Sequence, residues 1–152
     1  MEAGPKDPLL VEDALQPASY RVYPETPLDE VIDLMARRGV RALPVVGESY
    51  EVLGIITSGD ALDQVLRDAP GDEHQVDPSR APMTARDVMT RAVLCVSESQ
   101  SLVDAARMMV NRRVEQLPVV RDGELIGLIT RDAILHALHT ESRDDNDEPN
   151  ET

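Results

Sequence analysis

A threonine and an aspartate three residues apart form the pair in this sequence best suited to ligand chemistry. They lie in the stretch GIITSGDAL at 54–62, where Thr57 follows one apolar run and Asp60 precedes another. The pattern predicts a strand that ends near Thr57 and a helix that begins at Asp60, with a hydroxyl and a carboxylate on one rim. Such a carboxylate can accept hydrogen bonds from the 2′,3′-diol of a ribose, and helix N–H groups favour phosphate. The corner therefore fits a nucleotide; alternatively, Thr57 ends its strand and Asp60 caps the helix without any ligand.

Nearby backbone and apolar groups extend this candidate site. The predicted strands at Tyr20–Val22 and Leu43–Val45 have backbone groups suited to the edge of an adenine, and Pro44 offers an apolar wall. Gly59 allows a ligand to approach the backbone closely. Ser58 completes the set of candidate ligand-binding residues at the corner.

The sequence contains an internal repeat. Leu43-Pro44-Val45-Val46 recurs as Leu117-Pro118-Val119-Val120, at an offset of 74 residues. The turn that follows is one residue shorter in the second copy, so the offset falls to 73 and pairs Thr57 with Thr130. A register held along both copies indicates a duplicated unit.

Both copies have the same predicted order of elements: a short helix, a brief strand, a helix, two strands and a second helix. In the first copy Thr26 is the predicted N-cap of the longer helix, Pro27 its first residue and Gly39 its end. The other predicted segments are a short helix at Asp13, Tyr20–Val22, Leu43–Val46, Val52–Thr57 and a helix from Asp60 to Leu66, then a short helix at Asp87, Val93–Val96, Leu102–Asn111, Leu117–Val120, Leu125–Thr130 and Ala133–Leu138.

These elements predict an α/β (α+β) fold. Each copy alone has too small a sheet to bury its apolar face, so two β-α-β-β-α subdomains are expected to pack sheet to sheet with pseudo-twofold symmetry. The expected organisation is an N-terminal extension at 1–10, repeat 1 at 11–68, a Pro/Gly-rich acidic linker at 69–83, repeat 2 at 84–140 and an acidic disordered tail at 141–152.

The composition argues against several classes of partner. The formal net charge is −14 over 152 residues, which disfavours nucleic acid and anionic membranes. There is no Phe or Trp and there are only three Tyr, so stacking platforms for single-stranded nucleic acid are scarce. The single cysteine, Cys95, lies in an apolar run and is expected to be a core thiol in a reducing compartment. With no signal-peptide pattern and no apolar run long enough to cross a bilayer, the expected location is cytoplasmic.

The duplicated pattern resembles tandem cystathionine-β-synthase (CBS) domains, the arrangement called a Bateman module. The resemblance rests on PETPLDEVIDLMARRGVRALPVV with GIITSGDAL, and on DVMTRAVLCVSESQSLVDAARMMVNRRVEQLPVV with GLITRDAIL. It implies head-to-tail pairing of the copies, frequently a homodimer of modules, and regulatory binding of AMP, ADP or ATP. S-adenosylmethionine and NAD(H) are alternative adenine ligands. The resemblance implies no obligatory cofactor and no catalysis.

The two copies differ at the candidate site. The offset of 73 places Ala133 opposite Asp60, so the aspartate of the second copy, Asp132, comes one residue early. The resemblance implies that a basic residue just before the LPVV element contacts phosphate, and here the first copy has Arg41 where the second has Glu115. We therefore expect one competent site in repeat 1, with Thr130, Arg131 and Asp132 as weaker candidates in repeat 2.

Two classes of function remain from the sequence. One is a ligand-sensing module whose nucleotide-dependent change is read by an unidentified target protein. The other is a structural or dimerisation module with a vestigial cleft. His136 and His139 lie three residues apart on the last predicted helix, but metal binding needs further ligands and Glu141 is only a candidate, so an ordinary helix end is expected and no metal site.

Overall fold

The computed structural model describes residues 8–67, 82–91 and 93–146. The fold is mixed α and β, as predicted. Its elements are a 3₁₀ turn at Val11–Asp13, α1 (Leu28–Arg38), β1 (Ala42–Val46), β2 (Val52–Thr57), α2 (Ser58–Arg67), α3 (Ala85–Val88), β3 (Val96–Ser97), α4 (Leu102–Arg112), β4 (Gln116–Arg121), β5 (Glu124–Thr130) and α5 (Arg131–Asn146). No helix within the described ranges has both the length and the apolar character needed to span a membrane.

The chain forms two compact units that cut across the two repeats. The α1/α2 unit comprises Ala18–Val93 and Asp122–Leu125. The α4/α5 unit comprises Met1–Pro17, Leu94–Arg121 and Ile126–Thr152. The segment that opens each repeat therefore belongs to the unit built by the other repeat.

In the α1/α2 unit an antiparallel pair of strands carries the candidate corner. β1 pairs with β2 so that Ala42 lies opposite Thr57. The β-branched and leucine side chains of these strands pack beneath the apolar face of α1, and Leu43, Val45 and Ile56 are fully buried. α1 ends at Gly39, whose φ of 64° is a left-handed conformation that glycine adopts readily. The strand pair and the helix thus fix the point at which β2 turns into α2.

The α4/α5 unit repeats this plan with a three-stranded sheet in the order β3-β4-β5. β3 runs parallel to β4, with Val96 opposite Val119. The core beneath the sheet is aliphatic, as the lack of Phe and Trp requires, and its buried members are Val11, Val96, Leu102, Ala105, Met109, Leu117, Val119, Ile129 and Ile134. One core therefore forms around each repeat's pair of long strands.

The opening segment of each repeat pairs with the last strand of the other repeat. In the α1/α2 unit, Thr90 and Ile55 exchange two backbone hydrogen bonds of 2.9 and 3.0 Å. In the α4/α5 unit, Gln16 and Leu128 do the same at 3.0 and 2.9 Å. The two bridges occupy corresponding positions of the repeats, which explains why the compact units do not coincide with the repeats.

Two predicted strands are shorter in the structure. Tyr20–Val22 is not a strand, because only Val22 pairs, as an isolated parallel bridge to Val45. The strand expected at Val93–Val96 is confined to Val96–Ser97. Both segments run beside a longer strand but contribute too few ladder hydrogen bonds to count as strands of the predicted length.

The helix boundaries differ at three places. Pro27, not Thr26, occupies the N-cap position of α1, and the Thr26 hydroxyl instead accepts a hydrogen bond from the Tyr23 N–H at 3.0 Å. α2 and α5 begin directly after the strands, at Ser58 and Arg131, because each strand-terminal threonine caps the helix that follows.

The last helix is longer than predicted. α5 reaches Asn146 and so includes the first half of the segment expected to be a disordered acidic tail. No Gly or Pro interrupts residues 131–146, and the first breaker is Pro149. The rest of that segment and residues 68–81 of the expected linker lie outside the described residues, and the domain boundaries stay predictions.

Candidate functional site

Thr57 and Asp60 close the corner between β2 and α2 with reciprocal hydrogen bonds. The Thr57 N–H donates to Oδ2 of Asp60 at 3.1 Å, and the Asp60 N–H donates to the Thr57 hydroxyl at 3.1 Å. This is the geometry of a capping box, in which two otherwise unpaired backbone donors are satisfied by side chains. The helix cap that the sequence offered as the alternative to a ligand site is therefore present.

The cap leaves one hydrogen-bond acceptor of Asp60 and one donor of Thr57 unused. Among the described residues, Oδ1 of Asp60 accepts no hydrogen bond, and the carboxylate is only partly buried. The exposed Thr57 hydroxyl accepts one bond and keeps its proton for donation. A carboxylate oxygen and a hydroxyl proton thus stay free of the cap, so the cap and a ligand role are compatible.

Arg41 lies directly beside this corner. Its carbonyl accepts the Ser58 N–H at 2.7 Å, which joins the residue before β1 to the first residue of α2. The Arg41 side chain is exposed and forms no ion pair with any described residue. The Arg41 backbone therefore lies next to the N-terminus of α2, where an anion is favoured, and its exposed guanidinium has no partner among the described residues.

Tyr20 lies at the same end of the strand pair. Val22 bridges to Val45 in parallel, so two residues earlier Tyr20 runs beside Leu43, near the pairing of Ala42 with Thr57. The Tyr20 ring lies 5.7 Å from the guanidinium carbon of Arg38, a cation–π distance. Arg38 was not predicted from the sequence, although the run RRGVR at 37–41 concentrates three arginines before β1.

Val22 and Pro44 contribute less than the sequence suggested. Val22 is 4% exposed, and its N–H donates to the Pro44 carbonyl at 3.0 Å while its carbonyl accepts the Val46 N–H at 3.0 Å. Pro44 is also buried. The Val22 N–H is therefore committed to the fold, and the accessible groups near an adenine edge belong to Tyr20 and Arg21.

Arg21 adds a second stacked arginine to the α1/α2 unit. Its guanidinium carbon lies 4.8 Å from the centroid of the Tyr50 ring. A hydrogen bond with Tyr23, followed by the interactions with Tyr50, raises the pKa of the Arg21 guanidinium above its ordinary value. The side chain is exposed and stays cationic at any physiological pH.

The corner of the second repeat keeps the threonine and loses the carboxylate. The Thr130 hydroxyl accepts the Ala133 N–H at 3.0 Å, as the Thr57 hydroxyl accepts that of Asp60. The Arg131 N–H donates to the Glu115 carbonyl at 3.1 Å, as Ser58 donates to Arg41. The structure therefore places Ala133 and Glu115 where the first repeat has Asp60 and Arg41.

Arg131 and Asp132 are placed elsewhere. The Arg131 guanidinium donates to the Val114 carbonyl at 2.9 Å and to the Met109 carbonyl at 3.5 Å, at the end of α4. Asp132 lines an open groove between the first turns of α5 and residues 13–16. Neither side chain joins Thr130 in a counterpart of the first corner.

Within residues 8–67, 82–91 and 93–146 no group of three or more His, Cys, Asp or Glu is placed to hold a metal ion.

Comparison with known proteins identifies two copies of one family pattern. The model of the CBS domain matches residues 11–67 and 85–140. A chloroplastic CBS domain-containing protein of Arabidopsis thaliana, CBSX2, is 30% identical over 135 residues, which cover 76% of this chain and 57% of that protein. This chain therefore spans little more than half the length of that relative.

Solved structures and enzymes also match. The structure of CBSX2 in complex with AMP superposes with a TM-score of 0.72 at 30% identity, over 88% of this chain and 98% of the solved one. An inosine-5′-monophosphate dehydrogenase of Thermoplasma acidophilum is 32% identical over 117 residues, which cover 76% of this chain but only 21% of the enzyme. The same paired pattern thus occurs in small proteins and as a minor part of larger ones.

Proposed function

This chain belongs to the CBS domain family, and we propose that it is a regulatory module that binds an adenine nucleotide at the Thr57–Asp60 corner of the α1/α2 unit. The observation that carries the proposal is the pair of groups that the cap leaves unused, Oδ1 of Asp60 and the Thr57 hydroxyl proton, neither of which has a partner among the described residues. The AMP complex of a relative 30% identical supports the choice of ligand.

The ribose is assigned to the corner itself. Oδ1 of Asp60 accepts hydrogen bonds from the 2′- and 3′-hydroxyls, and the Thr57 hydroxyl donates its remaining proton to a ribose oxygen. Binding leaves the reciprocal cap intact, because the cap uses Oδ2 of Asp60 and an acceptor lone pair of Thr57. No rearrangement of α2 is needed.

The phosphate is assigned to the start of α2 and to Arg41. The Ser58 hydroxyl lies in the first turn of α2, at the positive end of the helix dipole, although the N–H groups of Ser58 and Asp60 are already bonded to Arg41 and Thr57. Arg41 adds a cation that no described carboxylate neutralises. The adenine then lies against Tyr20, whose ring and cationic neighbour Arg38 form the accessible surface at this edge.

The second repeat is proposed not to bind a nucleotide in this way. Ala133 provides no ribose acceptor, Glu115 repels phosphate, and the Arg131 guanidinium is bonded to the end of α4. A chain with one competent corner gives one high-affinity site. AMP, ADP and ATP are the first ligands to test, with NADH and S-adenosylmethionine as alternatives.

Thermal denaturation with each of these five ligands tests the proposal, since a ligand that binds only the folded state raises the melting temperature. Asp60→Asn is the decisive variant. The asparagine oxygen can still accept the Thr57 N–H, so the cap is retained, whereas its amide group replaces the acceptor that the ribose needs. We expect the shift to disappear in this variant and to persist in Asp132→Asn, which changes the aspartate of the other repeat.

The proposal fails if none of the five ligands shifts the wild-type melting temperature, or if Asp60→Asn keeps the full shift. Loss of the shift in both variants contradicts the assignment to repeat 1. Target-protein regulation, cytoplasmic location and the lack of catalytic activity stay predictions from the sequence and the resemblance.

A dimerisation module without a ligand is the second candidate function. It is favoured by the cap, which is complete without any ligand, and by an exposed apolar face on α2. On that face Leu62, Val65 and Leu66 are 57%, 45% and 58% exposed, at the spacing of one helical stripe. A homodimer that buries this stripe is also compatible with nucleotide sensing.

Sedimentation equilibrium tests the homodimer. Leu62→Glu with Leu66→Glu is expected to convert a dimer to a monomer, because burying two carboxylates costs several kcal/mol, roughly. Gln64→Glu, on the same helix but outside the stripe, serves as the control. A wild-type monomer, or a dimer that survives the double substitution, rules out this face as the dimer interface.

A further inference from the structure

The α4/α5 unit contains a groove that the nucleotide proposal does not use. It has a volume of about 900 Å³ and is lined by Leu9, Asp13, Ala14, Leu15, Gln16, Asp132, Ala133, His136, Ala137, Thr140 and Glu141. From Asp132 to Glu141 the helix α5 rises by about 14 Å. A groove of this length accommodates a peptide segment of about four extended residues.

The charges of the groove all have one sign. Three carboxylates, from Asp13, Asp132 and Glu141, line it together with His136, and no Lys or Arg is among the described residues of its lining. Asp13 uses one oxygen to accept the Leu10 N–H at 2.8 Å, whereas Asp132 and Glu141 have no hydrogen-bonding or ionic partner among the described residues. The arginine next to Asp132 in sequence, Arg131, donates to the end of α4 instead.

The floor of the groove is apolar. Leu9, Leu15 and three alanines also line it, and of these Leu9, Ala14, Leu15 and Ala137 pack against the core of the unit. A purely ionic ligand, such as a hydrated metal ion or a polyamine, leaves this floor in contact with water, whereas an aliphatic side chain covers it. The lining therefore fits a ligand that combines cationic and apolar groups.

We propose that this groove binds a basic, amphipathic peptide segment of a partner protein. Lys or Arg side chains pair with Asp132 and Glu141, and an aliphatic side chain between them packs on the alanines and Leu15. A phosphate-bearing ligand is disfavoured by the three carboxylates, and so is the same acidic groove of a second copy. The inference is independent of the nucleotide site, which lies in the α1/α2 unit.

Fluorescence anisotropy with a labelled KLAKLAK peptide and the full chain tests the proposal. We expect binding that weakens as salt rises, and an affinity lowered about tenfold or more by Asp132→Asn with Glu141→Gln. The matched control, Asp29→Asn with Glu48→Gln, removes the same charge from exposed positions of the α1/α2 unit and is expected to change affinity less than about twofold. A KSAKSAK peptide, which keeps the charges and loses the leucines, is expected to bind more weakly.

Four results would overturn the proposal. They are no binding of KLAKLAK, equal losses in the groove variant and its control, equal affinity for KSAKSAK, and a change in sedimentation of the groove variant. The second and third indicate unspecific attraction to an acidic chain, and the fourth assigns the groove to a contact between copies. Melting curves of both variants verify that they fold. The AMP-induced shift in melting temperature of the groove variant is expected to be unchanged, so a failure of the peptide proposal is distinguishable from a failure of the nucleotide proposal.

Discussion

Arg41 and Arg131 occupy neighbouring positions of the two corners, and their hydrogen bonds give them different tasks. Arg41 shares only its carbonyl with the corner and leaves its guanidinium free of described partners, whereas the Arg131 guanidinium satisfies carbonyls at the end of α4. Carbonyls at a helix end are stabilised by such a cation. The hydrogen bonds of the two guanidinium groups, which the sequence does not display, therefore distinguish Arg41, the ligand candidate, from Arg131, the structural residue.

Arg131→Ala is therefore expected to lower the free energy of unfolding by about 1 kcal/mol, since it removes hydrogen bonds from a charged donor in an exposed setting. Urea denaturation measures this change. AMP affinity, measured on the same variant, is expected to stay within about twofold of the wild type. A variant of unchanged stability that loses nucleotide binding would show instead that Arg131 contacts the ligand.

Cys95 gives a prediction of pH dependence. Burial raises the pKa of its thiol, because the thiolate is poorly solvated in a partly buried apolar segment. The folded state thus holds the thiol proton more tightly than the unfolded state. Its contribution to stability is fully present below the ordinary thiol pKa, about 8.5, and is lost as the pH rises through the raised value.

Reaction with a disulfide reagent such as DTNB measures this effect. At pH 8 the native protein is expected to react at least about tenfold more slowly than the protein in urea, and the half-maximal rate is expected at a higher pH than in the unfolded chain. Equal rates in the two states would show that the thiol is not protected.

At the scale of elements, two glycines allow the exchanged segments to pair with the long strands. A Cβ on Gly127 would lie 2.5 Å from the Gln16 carbonyl oxygen, and a Cβ on Gly54 would lie 2.8 Å from that of Thr90. Backbone atoms in a paired segment cannot withdraw without breaking the bridge. Gly54 and Gly127 correspond to each other in the repeat. At both positions the close approach of the exchanged segment requires a glycine.

Gly54→Ala and Gly127→Ala are each expected to lower the free energy of unfolding by about 1–3 kcal/mol, because the added methyl group overpacks the crossing. Gly59→Ala is the control: its Cβ would meet only the Thr57 hydroxyl oxygen at 3.7 Å, within the first turn of α2. There the substitution is expected to raise stability by up to about 1 kcal/mol. Chemical denaturation measures all three, and comparable losses in all would contradict the steric account.

The sequence predicts the long elements and misses the weak ones. The β-branched runs of β1, β2, β4 and β5 and the apolar faces of α1 and α4 are local signals, and their bounds are right within one or two residues. The strand predicted at Tyr20–Val22 needs a partner strand elsewhere in the chain. Only one bridge of that pairing forms, from Val22 to Val45. The capping alternative at Thr57 was visible in the sequence, but the free oxygen of Asp60 and the stacking of Arg38 on Tyr20 depend on side-chain geometry.

At the scale of the whole molecule, the two repeats have the same backbone plan and different corners. The equivalent bonds from Ser58 to Arg41 and from Arg131 to Glu115 show that the backbone is preserved while the side chains differ. The exchange of opening segments gives each compact unit backbone from both repeats. Neither unit is thus expected to fold from one repeat alone.

The most direct test of the account is the stoichiometry of nucleotide binding. Isothermal titration with whichever of AMP, ADP or ATP gives the largest melting shift counts the sites in the wild type and in Asp60→Asn. One site per chain is expected in the wild type, and none of comparable affinity in the variant. Two equal sites in the wild type, or an unchanged affinity in Asp60→Asn, would contradict it.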